Sequence, residues 1–266
     1  QFGDDVTPGK FHAALAALGF TDVYEVALGA DIGAISEAHH YANEVATGHL
    51  PFLLTSCCPS WSMLAKKQFP AMIDNISREL TPMVATARSV KKEHPNAKVV
   101  FIGPCAAKKL EAMRTSVRSD VDFVITFEEL MGIFQANGIE FSDLQDDTGF
   151  NHGATSSGRG YGIAGGVAKA VADCIHELAP DLEVKTDHAE GLVECKKMLT
   201  LAKLGKRDGY LLEGMACPGG CVGGAGTLTS IPKAIKAGQD FASQSEFKIS
   251  TQDETVFEKL GKYTKK

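Results

Sequence analysis

Five of the seven cysteines in this chain fall in three short blocks that are rich in glycine, proline and other small residues. The blocks are Thr55-Ser56-Cys57-Cys58-Pro59-Ser60-Trp61, Pro104-Cys105-Ala106-Ala107-Lys108-Lys109-Leu110-Glu111 and Met215-Ala216-Cys217-Pro218-Gly219-Gly220-Cys221-Val222-Gly223-Gly224. Small residues let the backbone approach a bulky group, and thiolates are soft ligands for metals. The blocks therefore predict one metal centre held by thiolates from three loops.

The donor set suits either zinc or an iron–sulfur cluster. Cys58 and Cys105 are single donors, whereas Cys217 and Cys221 are four apart, a spacing that would put both thiols on one side of a helical turn. Zinc sites are usually built from paired Cys-x2-Cys knuckles, and this sequence contains none. A cubane is wider and accepts scattered ligands, so the spacing favours an iron–sulfur cluster.

The remaining cysteines predict other roles. Cys174 and Cys195 lie in helical patterns without glycine or proline around them, so we expect structural thiols in the core. Cys57 directly precedes a ligand cysteine, and adjacent side chains point in different directions. A proton carrier, a second-site ligand and a filler residue all remain open for it. Lys108 and Glu111 have the i,i+3 spacing that is typical of an exposed ion pair on a helix.

Composition limits the function classes. With 266 residues and 44% hydrophobic content, the chain can bury a large core as one bilobal unit or two small domains. A net charge of −6 spread along the sequence argues against nucleic acid as a partner. No apolar run approaches the roughly 20 residues of a membrane span, and residues 1–10 have no signal-peptide core. The clustered cysteines favour a reduced, cytoplasmic setting over a disulfide framework.

The cysteine blocks each follow a short apolar run, and we expect these runs to be buried strands that end at the metal centre. The predicted strands are Pro51–Leu54, Val99–Ile102, Gly209–Leu212, Asp22–Leu28 and Phe123–Thr126. The first predicted helix begins at Pro8, after Thr7. The other predicted helices cover residues 31–47, 84–92, 128–136, 163–178 and 193–204. A polar loop is expected over residues 143–160 and a surface tail from Ser243 onward. Alternating strands and helices predict mixed or parallel sheets that are covered on both faces.

The three blocks resemble the signatures T-S-C-C-P-x-W, P-C-x-x-K-x-x-E and M-A-C-x-x-G-C-x-x-G of the catalytic domain of iron-only (FeFe) hydrogenases, which occur here in that order. The resemblance covers nearly the whole chain, including residues 160–167. It implies an α/β fold in which residues 1–266 form a single bilobal catalytic domain. Each lobe would be a small mixed β-sheet flanked by helices, with the metal cofactor in the cleft between the lobes.

The resemblance also implies the cofactor, called the H-cluster, in which a 4Fe–4S cubane is bridged to a diiron unit with carbon monoxide, cyanide and azadithiolate ligands. The implied cubane ligands are Cys58, Cys105, Cys217 and Cys221. The implied contacts to the cofactor come from Pro82, Pro104, Lys108, Tyr161 and Met215. Cys221 would bridge to the diiron unit, Cys57 would exchange protons with its amine, and Lys108 would donate hydrogen bonds to a cyanide.

The family's proton route continues through a glutamate, a serine and a second glutamate. By gapless alignment with Cys57, the first two positions correspond to Glu37 and Ser77, but the second glutamate position holds His40. An imidazole relays protons near neutral pH, although with a different proton affinity. Gly103 stands where the family often has methionine, and Met83 stands where glutamine is usual. These departures are typical of a divergent subgroup of the family.

The resemblance implies an oxidoreductase that interconverts dihydrogen with protons and electrons. Its partners would be ferredoxin or fused iron–sulfur domains as electron donor and maturation proteins that supply the diiron unit. We expect the family's Ala-Pro-x-x-Arg stretch and its ferredoxin-like domains to lie outside this chain. Two alternatives remain, a hydrogen-sensing regulator and a non-catalytic iron–sulfur assembly protein of the hydrogenase-like kind. Intact Cys57, Lys108 and Met215 argue against the second alternative, because a simple cubane does not need them.

Overall fold

The computed structural model describes residues 1–147 and 153–256. Its helices are α1 Pro8–Ala17, α2 Ala27–Glu44, α3 Pro59–Gln68, α4 Pro82–Glu93, α5 Ala107–Ala112, α6 Phe127–Ala136, α7 Ser156–Gly160, α8 Gly166–Leu178, α9 Leu192–Lys203 and α10 Ile231–Ser243. Its strands are β1 Phe52–Leu54, β2 Val100–Gly103, β3 Phe123–Thr126, β4 Lys185–Glu190 and β5 Tyr210–Met215. Short 3-10 helices cover Pro70–Asn75, Phe141–Asp143, Cys221–Gly223 and Ser250–Gln252.

The larger sheet has the strand order β1-β5-β4, and both pairings are parallel. The side chains of its strands point alternately into two hydrophobic cores, because successive side chains of a strand point to opposite faces of the sheet. Leu53 and Leu211 pack with α2 and α8, whereas Phe52, Leu54 and Leu212 pack with α3 and α9. The sheet is therefore covered by helices on both faces, as a parallel sheet requires.

The smaller sheet pairs β2 with β3, also in parallel. Phe101 and Val124 face a core formed by α4 and the segment after α5, and Ile102 and Ile125 face α1 and α6. The predicted fold class is confirmed, since two small sheets are flanked by helices. The pairings of the described strands are all parallel, so the sheets are simpler than the mixed sheets that we predicted.

Helix α2 packs against α4, α7 and α8 and is central to the molecule. It begins at Ala27, and the strand predicted over Asp22–Leu28 is wrong. Tyr24 and Val26 are exposed there, and this segment belongs to neither sheet. Helix α1 begins as predicted, with Thr7 Oγ1 accepting from Lys10 N at 3.1 Å.

The segment after α10 is not simply a surface tail. Ser250 and Val256 are buried, and Ser250 Oγ donates to the buried carboxylate of Asp31 at 2.7 Å. The same carboxylate accepts from Thr155 N at 2.9 Å, just before α7, which lies within the predicted loop. The other parts of the predicted loop and tail, residues 148–152 and 257–266, lie outside the described residues.

Strand β4 was not predicted at all, and α8 begins at Gly166 rather than at residue 163. Gly165 has a φ of +82°, which ends the preceding turn and starts the helix. The remaining predicted helices and strands are confirmed within a few residues. Over residues 1–147 and 153–256, none of the helices combines the length and the apolar character that crossing a lipid bilayer demands.

Candidate metal centre

The first cysteine loop, residues 55–58, begins where β1 ends. Thr55 N donates to Leu212 O at 3.0 Å, so the ladder continues one residue beyond the strand. Trp61 is fully buried, and its Nε1 donates to Thr55 O at 2.9 Å. The indole lies directly on Gly214 of β5, where a Cβ would stand 2.1 Å from the ring. The loop is therefore fixed to β5 from both of its ends.

The second cysteine loop follows β2 and is joined to the third loop by the backbone. Gly226 N donates to Pro104 O at 2.9 Å. Gly224 comes so close to this turn that a Cβ there would stand 2.5 Å from the same oxygen. Cys105, which follows Pro104, is thereby held beside the third cysteine loop.

The third cysteine loop follows β5, and the chain between its two cysteines is not a helical turn. Gly219 and Gly220 have φ values of +76° and +91°, a region that a right-handed helix does not use. Ala164 N donates to Gly219 O at 3.1 Å, which fixes the loop from the far side. The prediction of a helical turn from Cys217 to Cys221 is wrong, because the two glycines reverse the chain between them.

The four cysteines predicted as cubane ligands lie on these loops, which follow β1, β2 and β5. Burial, together with the nearby Cys58 and Cys105 thiols, raises the pKa of Cys221 to about 12, and the Lys108 ammonium opposes this rise. Burial also raises the pKa of Cys217, with the same two thiols contributing. The thiols of the three loops therefore act on one another electrostatically. Within the described ranges, no three His, Cys, Asp or Glu side chains have the spacing of a single-ion site.

Accessibility separates the cysteines into two groups. The five cysteines of the three loops are partly accessible, whereas Cys174 in α8 and Cys195 in α9 are buried. Cys195 Sγ donates to Ala189 O and Met215 O at 3.5 Å each. The burial of Cys174 and Cys195 in the hydrophobic cores agrees with the structural role that we predicted for them.

A buried ion pair connects α5 to the first cysteine loop. Lys108 Nζ lies 2.6 Å from Glu111 Oε2, and the two side chains are only 9% and 3% exposed. Nζ also donates to Cys57 O at 3.1 Å, and Thr81 Oγ1 donates to Glu111 Oε1 at 2.9 Å. The prediction that this ion pair is exposed is therefore wrong, because α5 packs against α3 and β3 instead of facing solvent.

The predicted proton carriers lie together beside the cysteine loops. Glu37 is buried in α2 and accepts a hydrogen bond from the Ser77 hydroxyl. Ser77 is positioned by its own N–H, which donates to Leu54 O at 2.8 Å at the end of β1. Burial raises the pKa of Glu37 to about 7, although the Ser77 hydrogen bond opposes the rise. Burial, and then the Glu37 carboxylate, raise the pKa of Cys57 well above that of a free thiol.

The residues predicted to line the cofactor pocket have defined places. Tyr161 follows α7, and its buried hydroxyl has no hydrogen-bond partner. Burial raises the pKa of Tyr161 well above its usual value, and the nearby Glu37 carboxylate adds to this. Met215 is buried at the end of β5, Pro82 is the first residue of α4, and Pro104 directly follows β2.

His40 lies nearer the surface than Glu37, on the wall of a surface cavity of about 460 Å³. Its Nδ1 is buried without a hydrogen-bond partner. Gly103 is explained by packing, since a Cβ there would stand 2.8 Å from the Phe101 ring. Met83 is buried in the hydrophobic core of the smaller sheet. Packing against Phe101 thus favours glycine at position 103, and burial in an apolar core favours methionine over glutamine at position 83.

Two carboxylates near the site were not predicted from the sequence. Glu213 is fully buried in β5 and accepts from Gly165 N at 2.8 Å and Ala168 N at 2.7 Å, where α8 begins. Burial raises the pKa of Glu213. Glu79 lies two residues beyond Ser77, and its N–H donates to the Ser77 hydroxyl oxygen at 3.3 Å. A charged residue within an apolar strand was the available signal for Glu213, and no comparable signal marks Glu79.

Comparison with known proteins adds to this geometry. Residues 1–225 match the family described as "Iron only hydrogenase large subunit, C-terminal domain". Iron hydrogenase 1 of Clostridium pasteurianum is 28% identical over 276 residues, which covers 88% of this chain and 48% of that protein. The chain spans about half the length of the first curated relatives it matches.

The similarity extends to solved structures and to a second kind of relative. A variant of the [FeFe]-hydrogenase HydA1 from Chlamydomonas reinhardtii superposes with a TM-score of 0.77 at 25% identity, over 98% of this chain and 84% of that one. Protein NAR1 of Arabidopsis thaliana is 25% identical over 284 residues, which covers 82% of this chain and 60% of that protein. Other similar proteins are named cytosolic Fe–S cluster assembly factor NAR1.

Proposed function

The chain belongs to the iron-only hydrogenase family, and we propose that it interconverts dihydrogen with protons and electrons. The proposed centre is the H-cluster, a 4Fe–4S cubane bridged to a diiron unit with carbon monoxide, cyanide and azadithiolate ligands. We further propose that the two sheets belong to two lobes of one domain and that the centre lies between them. Ferredoxin or attached iron–sulfur domains would exchange the electrons, and maturation proteins would supply the diiron unit.

The thiol groups of the cysteine loops and the Lys108 ammonium fit the proposed H-cluster. Cys58, Cys105, Cys217 and Cys221 are partly accessible and lie on loops that follow β1, β2 and β5, and thiolates are the usual ligands of iron–sulfur clusters. Lys108 has three N–H donors, of which Cys57 O and Glu111 Oε2 use two. The third donor is available for a cyanide. When bound, the diiron unit would supply the Lewis acid that polarises dihydrogen and the amine base that accepts its proton.

One observation carries the proposal, namely the non-ligand thiol of Cys57 beside a buried carboxyl. A protein that holds a cubane alone needs four thiolates and has no use for a proton path. The raised pKa of Cys57 keeps its thiol protonated and able to donate. Glu37, with a pKa of about 7, both accepts and releases a proton near neutral pH, which is what efficient proton transfer requires.

The chain's own residues would divide the remaining tasks. The ion pair of Lys108 and Glu111 orients the ammonium at the first cysteine loop, and Thr81 orients the carboxylate in turn. Buried Met215 and Tyr161 exclude water from the inner side of the site. The Ser77 hydroxyl passes protons between Glu37 and groups nearer the surface.

A second candidate function is iron–sulfur assembly without hydrogen chemistry, which the similarity to NAR1 proteins favours. The partly accessible Cys57 together with buried Glu37 and Lys108 favours the hydrogenase instead. A hydrogen-sensing regulator would keep the same centre with slow turnover.

The experiment is to load the chain with its cofactor through maturation proteins and to record infrared bands of metal-bound carbon monoxide and cyanide. Hydrogen turnover is then measured with an artificial electron carrier. We expect both bands and turnover, and we expect Cys57→Ala to keep the bands while its turnover collapses. Iron–sulfur absorption without carbon monoxide bands would instead support the assembly function, and full bands with very slow turnover would support the regulator.

A further inference from the structure

Glu79 lies between Ser77 and a surface cavity. Glu79 is partly buried, whereas Ser77 is buried and the intervening Arg78 is exposed. The Glu79 N–H donates to Ser77 Oγ at 3.3 Å, and Ser56 Oγ donates to Glu79 O at 3.2 Å. The Ser56 N–H in turn donates to the Glu37 carboxylate. Glu79 is thus fastened to both neighbours of Glu37.

The side chain of Glu79 is directed toward α2. Its Oε2 accepts a short hydrogen bond from the hydroxyl of Ser36, the residue that precedes Glu37. The negative charge of Glu79 is close enough to Glu37 to raise the pKa of that buried carboxyl. The backbone hydrogen bonds and the electrostatic effect therefore both indicate that Glu79 lies close to Glu37.

The same side chain reaches solvent. Glu79 lines the surface cavity of about 460 Å³ together with Ser36, His39, His40, Asn43, Glu44 and Arg78. The cavity is lined by polar side chains, which suits water. His40 shares this wall, but its Nδ1 is buried without a partner. The backbone of Glu79 is consequently bonded to Ser77 and Ser56, and its carboxylate, bonded to Ser36, borders the cavity.

We propose that Glu79 is the outer carboxylate of the proton route and takes the place of the second glutamate whose position His40 holds. The inference rests on the proposed hydrogenase function. Glu37 passes a proton to the Ser77 hydroxyl while that hydroxyl passes its own proton, through an intervening water, to the Glu79 carboxylate, which Ser36 holds. Glu79 then releases the proton to water in the cavity, and the same steps run in reverse during hydrogen evolution.

The test compares Glu79→Gln, Glu79→Asp and the control Glu44→Gln. Glutamine keeps an oxygen acceptor for Ser36 but does not carry a proton as a carboxyl does, whereas aspartate restores an acid. Glu44 lines the same cavity, so its replacement removes one negative charge from that wall without touching Ser77. Infrared bands of carbon monoxide and cyanide confirm equal loading in every variant.

Turnover is the first readout. We expect Glu79→Gln to slow it by about 100-fold, the lower end of what a positioned proton-transfer group contributes. Glu79→Asp should recover much of the rate, and Glu44→Gln should stay within about twofold of the unmodified chain, since it only alters a screened surface charge. Equal slowing by Glu79→Gln and Glu79→Asp would mean a structural role, and equal slowing by Glu44→Gln would mean a general charge effect. Either result overturns the proposal.

The second readout does not depend on activity. The carbonyl band of the protonated Glu37 carboxyl, identified by its loss in Glu37→Gln, shifts when deuterium replaces its proton. After stopped-flow mixing with deuterium oxide, Glu79→Gln should slow this shift and Glu44→Gln should not. Missing carbon monoxide bands in all chains would refute the hydrogenase function alone. Unchanged exchange in Glu79→Gln, with slow exchange in His40→Ala, would overturn the Glu79 route and place the exit at His40.

Discussion

The raised pKa of Glu37 makes stability depend on pH in a way that Glu37→Gln should remove. The pKa of this carboxyl rises from 4.5 to about 7 on folding, chiefly because burial disfavours its charge. Each pKa unit corresponds to about 1.4 kcal/mol, so the ionised carboxylate costs the folded chain about 3 kcal/mol. This cost is absent below about pH 4.5, where both states hold the proton, and is complete above about pH 7.

The sign of the effect follows from this linkage. As the pH rises through the interval from 4.5 to about 7, the unmodified chain loses stability that it has while Glu37 is protonated. Glu37→Gln has no proton to lose at this position. The free energy of unfolding of the variant, relative to the unmodified chain, should therefore increase by about 3 kcal/mol between about pH 4.5 and about pH 8.

Urea denaturation of the cofactor-free chain at several pH values measures this difference. Glu44→Gln is the control, because Glu44 lies at the surface cavity and its replacement should give a nearly flat difference. Stability curves for Glu37→Gln and the unmodified chain that run parallel across the whole interval would refute the argument that Glu37 is desolvated and protonated near neutral pH.

Three further predictions concern the ligands and the packing around them. Cys221→Ser should lose the diiron unit and most activity, because a hard oxygen bridges iron poorly, and full iron content with normal turnover would contradict the ligand assignment. Glu111→Ala leaves the buried Lys108 ammonium unpaired, so urea denaturation should register a loss of about 3–5 kcal/mol, which the double replacement Lys108→Met with Glu111→Leu should largely recover. Gly103→Met, which restores the residue usual in the family, should destabilise the chain by about 1–3 kcal/mol, since its Cβ would meet the Phe101 ring; an added Phe101→Ala should relieve the clash, and equal stability of Gly103→Met and the unmodified chain would show that the ring moves aside freely.

The fold was largely predictable because its strands are short apolar runs bounded by turn residues. The strands before each cysteine block were located correctly, since burial on both faces leaves an uninterrupted apolar run. Strand β4 escaped prediction because most of its side chains are exposed and polar, and only its pairing with β5 makes it a strand. The strand predicted over Asp22–Leu28 is wrong for the opposite reason. Its apolar residues suggest a strand, but Tyr24 and Val26 are exposed, and the segment pairs with none of the strands of the described residues.

The geometry around the predicted site residues could not be predicted from their spacing. The i,i+3 spacing of Lys108 and Glu111 is the same for an exposed pair and a buried one, so only the tertiary packing of α5 decides between them. The spacing of Cys217 and Cys221 fits a helical turn until the positive φ values of the intervening glycines are known. Glu79 reaches α2 through its hydrogen bond with Ser36, which lies 43 positions earlier, and that bond does not follow from sequence spacing.

The pairing of β1 with β5 also sets the order of events during synthesis. Leu54 lies beside Leu212, 158 positions later in the chain. A ribosome that adds about 5–20 residues per second needs roughly 8–30 s to cover this distance. During that time the first cysteine loop has left the ribosome but has no partner strand, and contacts of such long range also fold slowly. On the proposed function, cofactor loading has to wait for β5, and the thiols of Cys57 and Cys58 have to be kept reduced until β5 arrives.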